Sequence, residues 1–165
     1  MTTTTPPLAL SVRQPWAWAI IHGGKPCENR TRFAIDKGGM RAMVGKRIAI
    51  HAGKGMTQDE YHGALVTFGK AGAHCPLPDA LLRGGIIGTV EVVDIIRAMQ
   101  SPWFFGPYAL LLARPQPVDF IGCAGQLGMF AWMRNNQPPE PPAKWMLPKT
   151  APLRTLTAEK TGTLL

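Results

Sequence analysis

The stretch Leu10-Ser-Val-Arg-Gln-Pro-Trp-Ala-Trp-Ala-Ile-Ile-His-Gly-Gly-Lys-Pro-Cys-Glu-Asn-Arg30 decides how this chain folds. Its upstream edge, Leu8-Ala-Leu-Ser-Val12, reads as a strand. Pro15 suits the first position of a helix and Gly23-Gly24 suits its end, so the pattern predicts a short helix over 15–22. Extended chain follows over 27–33. Glu28 and Arg30 are two residues apart, which puts both on one side of a strand and Cys27 and Asn29 on the other. With Lys25 just upstream, a carboxylate stands between two cations. That arrangement can aim a guanidinium fork at a phosphate or a base edge; an ordinary ion pair at a turn is the competing reading.

Working outward, 46–51 is an apolar strand, and Thr57 with Glu60 forms the capping box of a helix running to about Lys70. The β-branched segment 85–96 reads as a long central strand, 108–113 as another, and 127–133 as a last strand or short helix. Glycine (18) and proline (16) together make about a fifth of the 165 residues, which favours short strands broken by turns over a helical bundle. The expectation is an α+β fold, a small β-barrel of five or six strands with two or three flanking helices. Residues 1–7 read as a flexible N-terminus, 8–136 as one domain and 137–165 as a Pro-rich tail. Within that tail the apolar triplet Trp145-Met-Leu147 is able to dock on the body.

Eighteen Lys and Arg against ten Asp and Glu give a formal charge of +8. Over 8–136 the count is 14 against 8, so the basic excess belongs to the fold rather than to the tail. Segment 25–54 alone carries eight cations and two acids, which makes a polyanion the natural partner class. Three cysteines, Cys27, Cys75 and Cys123, with no paired spacing point to a reducing, cytoplasmic setting. No basic-then-apolar leader opens the chain, and no apolar run is long enough for a membrane span.

On the segments Ser11-Val-Arg-Gln-Pro-Trp-Ala17, Gly24-Lys25-x-x-Glu28-x-Arg30, Gly88-Thr-Val-Glu-Val92 and Ser101-Pro-Trp-Phe-Phe-Gly-Pro-Tyr108, the sequence resembles the ASCH domain family, a branch of the PUA-like fold. The resemblance covers about 10–130. It implies a small barrel with a cleft lined by the Gly-Lys-x-x-Glu-x-Arg residues and an RNA-related role. One bacterial branch is an amidohydrolase on N4-acetylcytidine, and the resemblance matches its lysine to Lys25 and its glutamate to Glu91. Glu28 stands where that branch carries a threonine, so the hydroxyl of its site is missing here.

Glu91 draws notice without the family, because it interrupts the apolar run Ile86-Ile-Gly-Thr-Val-Glu-Val-Val-Asp-Ile-Ile96. A buried carboxylate there needs a cation or a raised pKa; a pair that merely orders the barrel is the alternative. Trp16, Trp103 and Tyr108 are the aromatic candidates for stacking a base, while Phe104, Phe105 and Trp18 read as packing. The four histidines have no metal-ligand spacing, and Cys27 reads as a small packed residue.

The site expected from sequence is therefore Arg13, Gln14, Trp16, Lys25, Glu28, Arg30, Trp103 and Tyr108 for ligand or nucleic acid, with Lys25, Glu28, Arg30 and Glu91 at the floor of the cleft. RNA or a nucleotide is the expected partner and single-stranded DNA the second choice, with no metal, no cofactor and no membrane; the oligomeric state is open. An enzyme with Lys25 and Glu91 as acid and base, cleaving an acylated cytidine or RNA, is the alternative. An accessory protein with a polyproline tail is the third reading.

Overall fold

A computed structural model describes residues 4–149 of the chain. In chain order the elements are β1 (Leu8–Val12), α1 (Trp16–His22), β2 (Cys27–Arg30), α2 (Arg32–Lys37), β3 (Arg47–Ala52), α3 (Gln58–Ala71), β4 (Gly85–Ile96), β5 (Tyr108–Gly122) and β6 (Met129–Ala131). Short 3-10 turns occupy Arg41–Met43, Pro78–Ala80 and Lys144–Met146. The strands form one six-stranded sheet in the order β2-β5-β4-β3-β1-β6. Only β1 and β3 run parallel; every other pair is antiparallel. A parallel pair needs a crossover, and α1, β2 and α2 supply it.

The sheet curls into a half-barrel, the α+β architecture expected from the sequence. Its curvature has a local cause, since β4 and β5 change register between Ile86 and Gly88, Thr89 and Glu91, and Val92 and Asp94. Each irregularity bends and twists the strand that carries it. Leu10, Ile48, Ile50, Val90 and Leu110 from the concave face meet Ile20 of α1, Ile35 of α2 and Met40, all of them buried. Gly88 allows α1 to lie directly on β4, because a Cβ there would stand 2.5 Å from Ile21 Cδ1. Phe68 of α3 packs on Ala19, Cys27 and Trp103.

The capping box of α3 is present, with Glu60 N–H donating to Thr57 Oγ1 at 3.1 Å and Thr57 N–H to Glu60 Oε2 at 2.7 Å. Three local readings are corrected. Pro15 is the N-cap of α1 rather than its first residue. The extended segment ends at Arg30 rather than 33, because Thr31 Oγ1 accepts from Ala34 N–H at 3.1 Å and starts α2. The strand that starts at Tyr108 continues through Pro115 and Pro117 to Gly122. Pro115 falls inside one register shift with β4, and Pro117, opposite Gly88, borders another, the places in a sheet where proline is tolerated.

At the two ends, Trp132 Nε1–H donates to Pro6 O at 2.7 Å, and part of the expected tail is held on the body. Met146 is buried among Met56, Tyr61 and Leu81. Arg83 Nη2 donates to Pro141 O at 2.9 Å, and Glu140 N–H donates to Arg83 O at 2.8 Å. The chain beyond 149 lies outside the described residues. Among the described residues no helix is long and apolar enough to cross a membrane.

Met146→Ala removes the apolar anchor of the 137–149 segment and should cost about 2–3 kcal/mol, a cavity-forming loss. Differential scanning calorimetry should then show a melting temperature lower by roughly 4–12 °C. A shift close to zero would mean that the segment adds nothing to the body.

Candidate functional site

A cavity of about 830 Å³ opens over the ends of β1, β2 and β3. Ser11 of β1, Trp16 of α1, Glu28, Asn29 and Arg30 of β2 and His51 of β3 line it, together with the 53–55 turn and the 124–128 loop. Gly53 and Gly125 bring these segments close to β1, since an added Cβ would stand 3.5 Å and 3.2 Å from Ser11 Oγ.

The carboxylate of Glu28 does sit between two cations. Lys25 Nζ donates to Glu28 Oε2 at 2.8 Å and to Cys27 O at 2.7 Å. Arg30 Nη2 is 3.4 Å from Glu28 Oε1 and donates to Ser11 O at 2.9 Å. The two-residue spacing on an extended strand produces this alignment. Lys25 is nevertheless consumed by it: its side chain is 2% exposed, lies 5.6 Å from the centre of the Trp16 ring and does not reach the cavity. Arg30 does line the cavity, and its Nε is buried with no acceptor among the described residues.

Of the other expected residues, Arg13 and Trp16 are on the cavity wall. Arg13 Nη2 donates to Glu60 Oε2 at 2.8 Å, which holds the Glu60 carboxyl below the usual carboxylate range. Gln14 is buried and fully used inside the fold, its Nε2 donating to Leu82 O at 2.8 Å and its Oε1 accepting from Trp18 N–H at 2.9 Å. Trp103 is also buried, edge-on beneath Trp16 with ring centres 6.3 Å apart. Tyr108 lies outside the lining, with the Arg97 guanidinium 5.2 Å above its ring. Glu91 stands away from the floor expected for it. Its carboxylate pairs with Arg47 at 3.7 Å and with Arg114, and it makes no contact with Lys25.

Three residues that sequence reasoning passed over are central. Ser11 Oγ is 2.9 Å from His51 Nδ1, and His51 Nε2 is 2.9 Å from Cys123 O. Their strands are 40 residues apart in sequence, and the parallel β1–β3 register sets Ser11 opposite His51. The signal available was a histidine inside the apolar strand Arg47–Ala52. Asn29 is the third: its Nδ2 donates to Trp103 O at 2.9 Å, and its Oδ1 accepts from Phe105 N–H at 2.8 Å and from Gly106 N–H at 3.1 Å. One amide thereby pins the aromatic loop to β2 and stands Phe105 edge-on to Trp16, with ring centres 6.0 Å apart.

Burial raises the Cys27 thiol above its ordinary pKa despite the nearby lysine, as suits a packed cysteine. Burial also pushes His51 below its ordinary value of 6.5, which favours the neutral imidazole. Among the described residues no group of three His, Cys, Asp or Glu side chains is placed to hold a metal ion.

Lys25→Ala leaves the buried Glu28 with only the more distant Arg30, and should lower stability by about 3–5 kcal/mol. Chemical denaturation should show this as an earlier midpoint with an unchanged slope. His51 gives a pH signature. Its folded pKa is depressed, so its contribution is present above its unfolded value of 6.5 and is lost as pH falls from there toward the folded value. Melting temperatures taken between about pH 7 and pH 5 should therefore decline in the wild type and decline less in His51→Gln.

No protein-family model matches the chain, and no curated protein matches it. Among solved structures, a crystal structure of a mutant of the ZmASCH protein from Zymomonas mobilis is similar, with 19% sequence identity over 78% of this chain and 88% of that one and a TM-score of 0.43.

Proposed function

We propose that the cavity binds RNA or a nucleotide, with Arg13, Arg30 and Lys54 facing phosphate and Trp16 and Phe105 offering surfaces to a base. The observation that carries this reading is the meeting of three cations and the Trp16 ring around one opening of about 830 Å³, with Phe105, expected to pack but exposed, edge-on to Trp16 beside it. Cationic walls attract phosphates, and aromatic rings take unstacked bases whatever their sequence. The charge of +8 adds a long-range pull toward polyanions. The resemblance of the Gly24-Lys25-x-x-Glu28-x-Arg30 segment to the ASCH family is in keeping with it. The three unpaired thiols suit a cytoplasmic setting.

The enzyme alternative built on Lys25 and Glu91 has no geometric support. Lys25 is locked on Glu28 and Cys27 O, and Glu91 is held by Arg47 and Arg114. A proton cannot pass between groups that share neither a contact nor a cavity.

Fluorescence anisotropy with a labelled single-stranded RNA is the test. If three phosphates are contacted, affinity should fall by about an order of magnitude or more between 50 and 200 mM salt. Arg30→Ala should weaken binding by about 1–3 kcal/mol, as a lost charge-assisted bond does. A DNA oligonucleotide of the same sequence shows whether the 2′-hydroxyl is read. Absence of binding at low salt, or a response flat in salt, sinks the reading.

A further inference from the structure

We propose that Ser11 and His51 form a nucleophile and general base for the hydrolysis of a carboxylic ester in this cavity. The inference goes beyond nucleic-acid binding and stands whether or not the cavity also takes RNA.

The tautomer follows from the hydrogen-bond partners. Cys123 O can only accept, so the His51 Nε2 that lies 2.9 Å from it carries the hydrogen. In the neutral imidazole Nδ1 then holds a lone pair, and the contact of 2.9 Å to Ser11 is a serine O–H donating to that lone pair. This is the alignment that activates a serine: base within reach of the nucleophile, and the base itself oriented by a third group. The roles of the two ring nitrogens are exchanged relative to the familiar serine triad, and a neutral carbonyl replaces the acid. Burial keeps the base unprotonated near neutral pH.

Two further features single the pair out from an ordinary buried histidine contact. Ser11 is half-buried on the cavity wall, and His51, itself only 2% exposed, lines the cavity behind it. Gly125 covers the dyad so closely that a Cβ there would stand 2.7 Å from His51 Cε1, 3.0 Å from Nδ1 and 3.2 Å from Ser11 Oγ. Backbone passes where any side chain would occupy the approach to Oγ. Arg30 also stands beside the nucleophile, donating to Ser11 O at 2.9 Å, and its Nε lacks an acceptor among the described residues. Its positive charge is thereby held next to Ser11 on the cavity wall, the sign that stabilises a developing oxyanion.

The step balances with water as co-reactant. Ser11 Oγ bonds to the ester carbonyl carbon as its proton moves to His51 Nδ1 and the C=O electron pair moves onto oxygen. Collapse breaks the C–O bond to the alcohol, which leaves with the proton from Nδ1, and acyl-Ser11 remains. Water then adds to the acyl carbon, giving its proton to Nδ1. The second collapse breaks the bond to Oγ, which recovers that proton and frees the carboxylic acid.

The test is to incubate the full chain with an alkyl fluorophosphonate and with p-nitrophenyl acetate. Peptide mass spectrometry should find one phosphonyl adduct, on Ser11, formed as its Oγ displaces fluoride, and ester hydrolysis should show a burst. Ser11→Ala should abolish both. His51→Gln, whose amide can still reach Cys123 O, should slow labelling roughly 100-fold, as loss of a general base does. Gly125→Ala should block labelling by filling the approach. Absence of a Ser11 adduct in the wild type needs no variant to interpret and overturns the proposal, leaving the pair a structural hydrogen bond. Labelling spread over other serines, or indifferent to His51→Gln, overturns it equally. Neither readout involves nucleic acid, so a failure here is separate from a failure of RNA binding.

Discussion

The carboxylate of Glu28 has to be neutralised where it is buried, and much of the site is arranged by that requirement. An unpaired carboxylate in a low-dielectric interior is costly enough that it either protonates or recruits cations. Glu28 recruits two, from positions three residues before it and two after it. The same contacts seat Lys25 over Trp16, which orients an aromatic wall, and pull Arg30 across to Ser11 O, which ties β2 to the end of β1. One buried charge thereby couples the crossover that contains α1 to the strand that carries Ser11.

The second organising contact is the parallel pairing of β1 and β3. Parallel strands cannot be joined by a hairpin, so their register is set by side-chain packing across a long connection. Leu10 faces Ile50 in that register and both are buried, which leaves Ser11 facing His51 one step further along. A slip of a single residue would turn Leu10 and Ile50 out of the core. The hydrophobic set that specifies the fold is therefore what holds the polar pair at hydrogen-bond distance.

What was legible in the sequence follows from this division between local and distant causes. Strand β1, the capping box of α3 and the bounds of β4 rest on neighbours within a few residues, and each was readable from pattern alone. So was the placement of Glu28 and Arg30 on one side of a strand. Helix α2 was missed because its start is a single threonine hydroxyl, and the extension of β5 because prolines read as breaks unless the bulges opposite them are known. Gln14 and Trp103 looked available to a ligand by residue type. Their partners, Leu82 O for one and the Phe68 and Trp16 rings for the other, come from far along the chain. Glu91 was rightly noticed as a carboxylate in an apolar strand, but its neighbours are set by strand pairing: Arg47 lies directly across on β3, and Arg114 follows its β5 partner Ala113. The Ser11–His51 contact, made between paired strands 40 residues apart, had only a histidine in an apolar strand to mark one of its members, and nothing local to name the partner.

The cations around the cavity are all paired, and the differences among those pairs decide which could serve a ligand. Arg13 with Glu60 and Lys54 with Glu140 are well exposed, with side-chain exposures of 52% and 39% for the first pair and 65% and 40% for the second. Exposed pairs of this kind hold by about 1 kcal/mol or less, so an incoming phosphate can displace either carboxylate at small cost. Glu28 is different, because releasing it from Lys25 would strand a buried charge. Arg30 can turn a face to a ligand only while Lys25 keeps Glu28 neutralised. The lysine that the sequence marked for direct contact with a ligand is thus held behind the cavity wall, on the carboxylate it shares with Arg30.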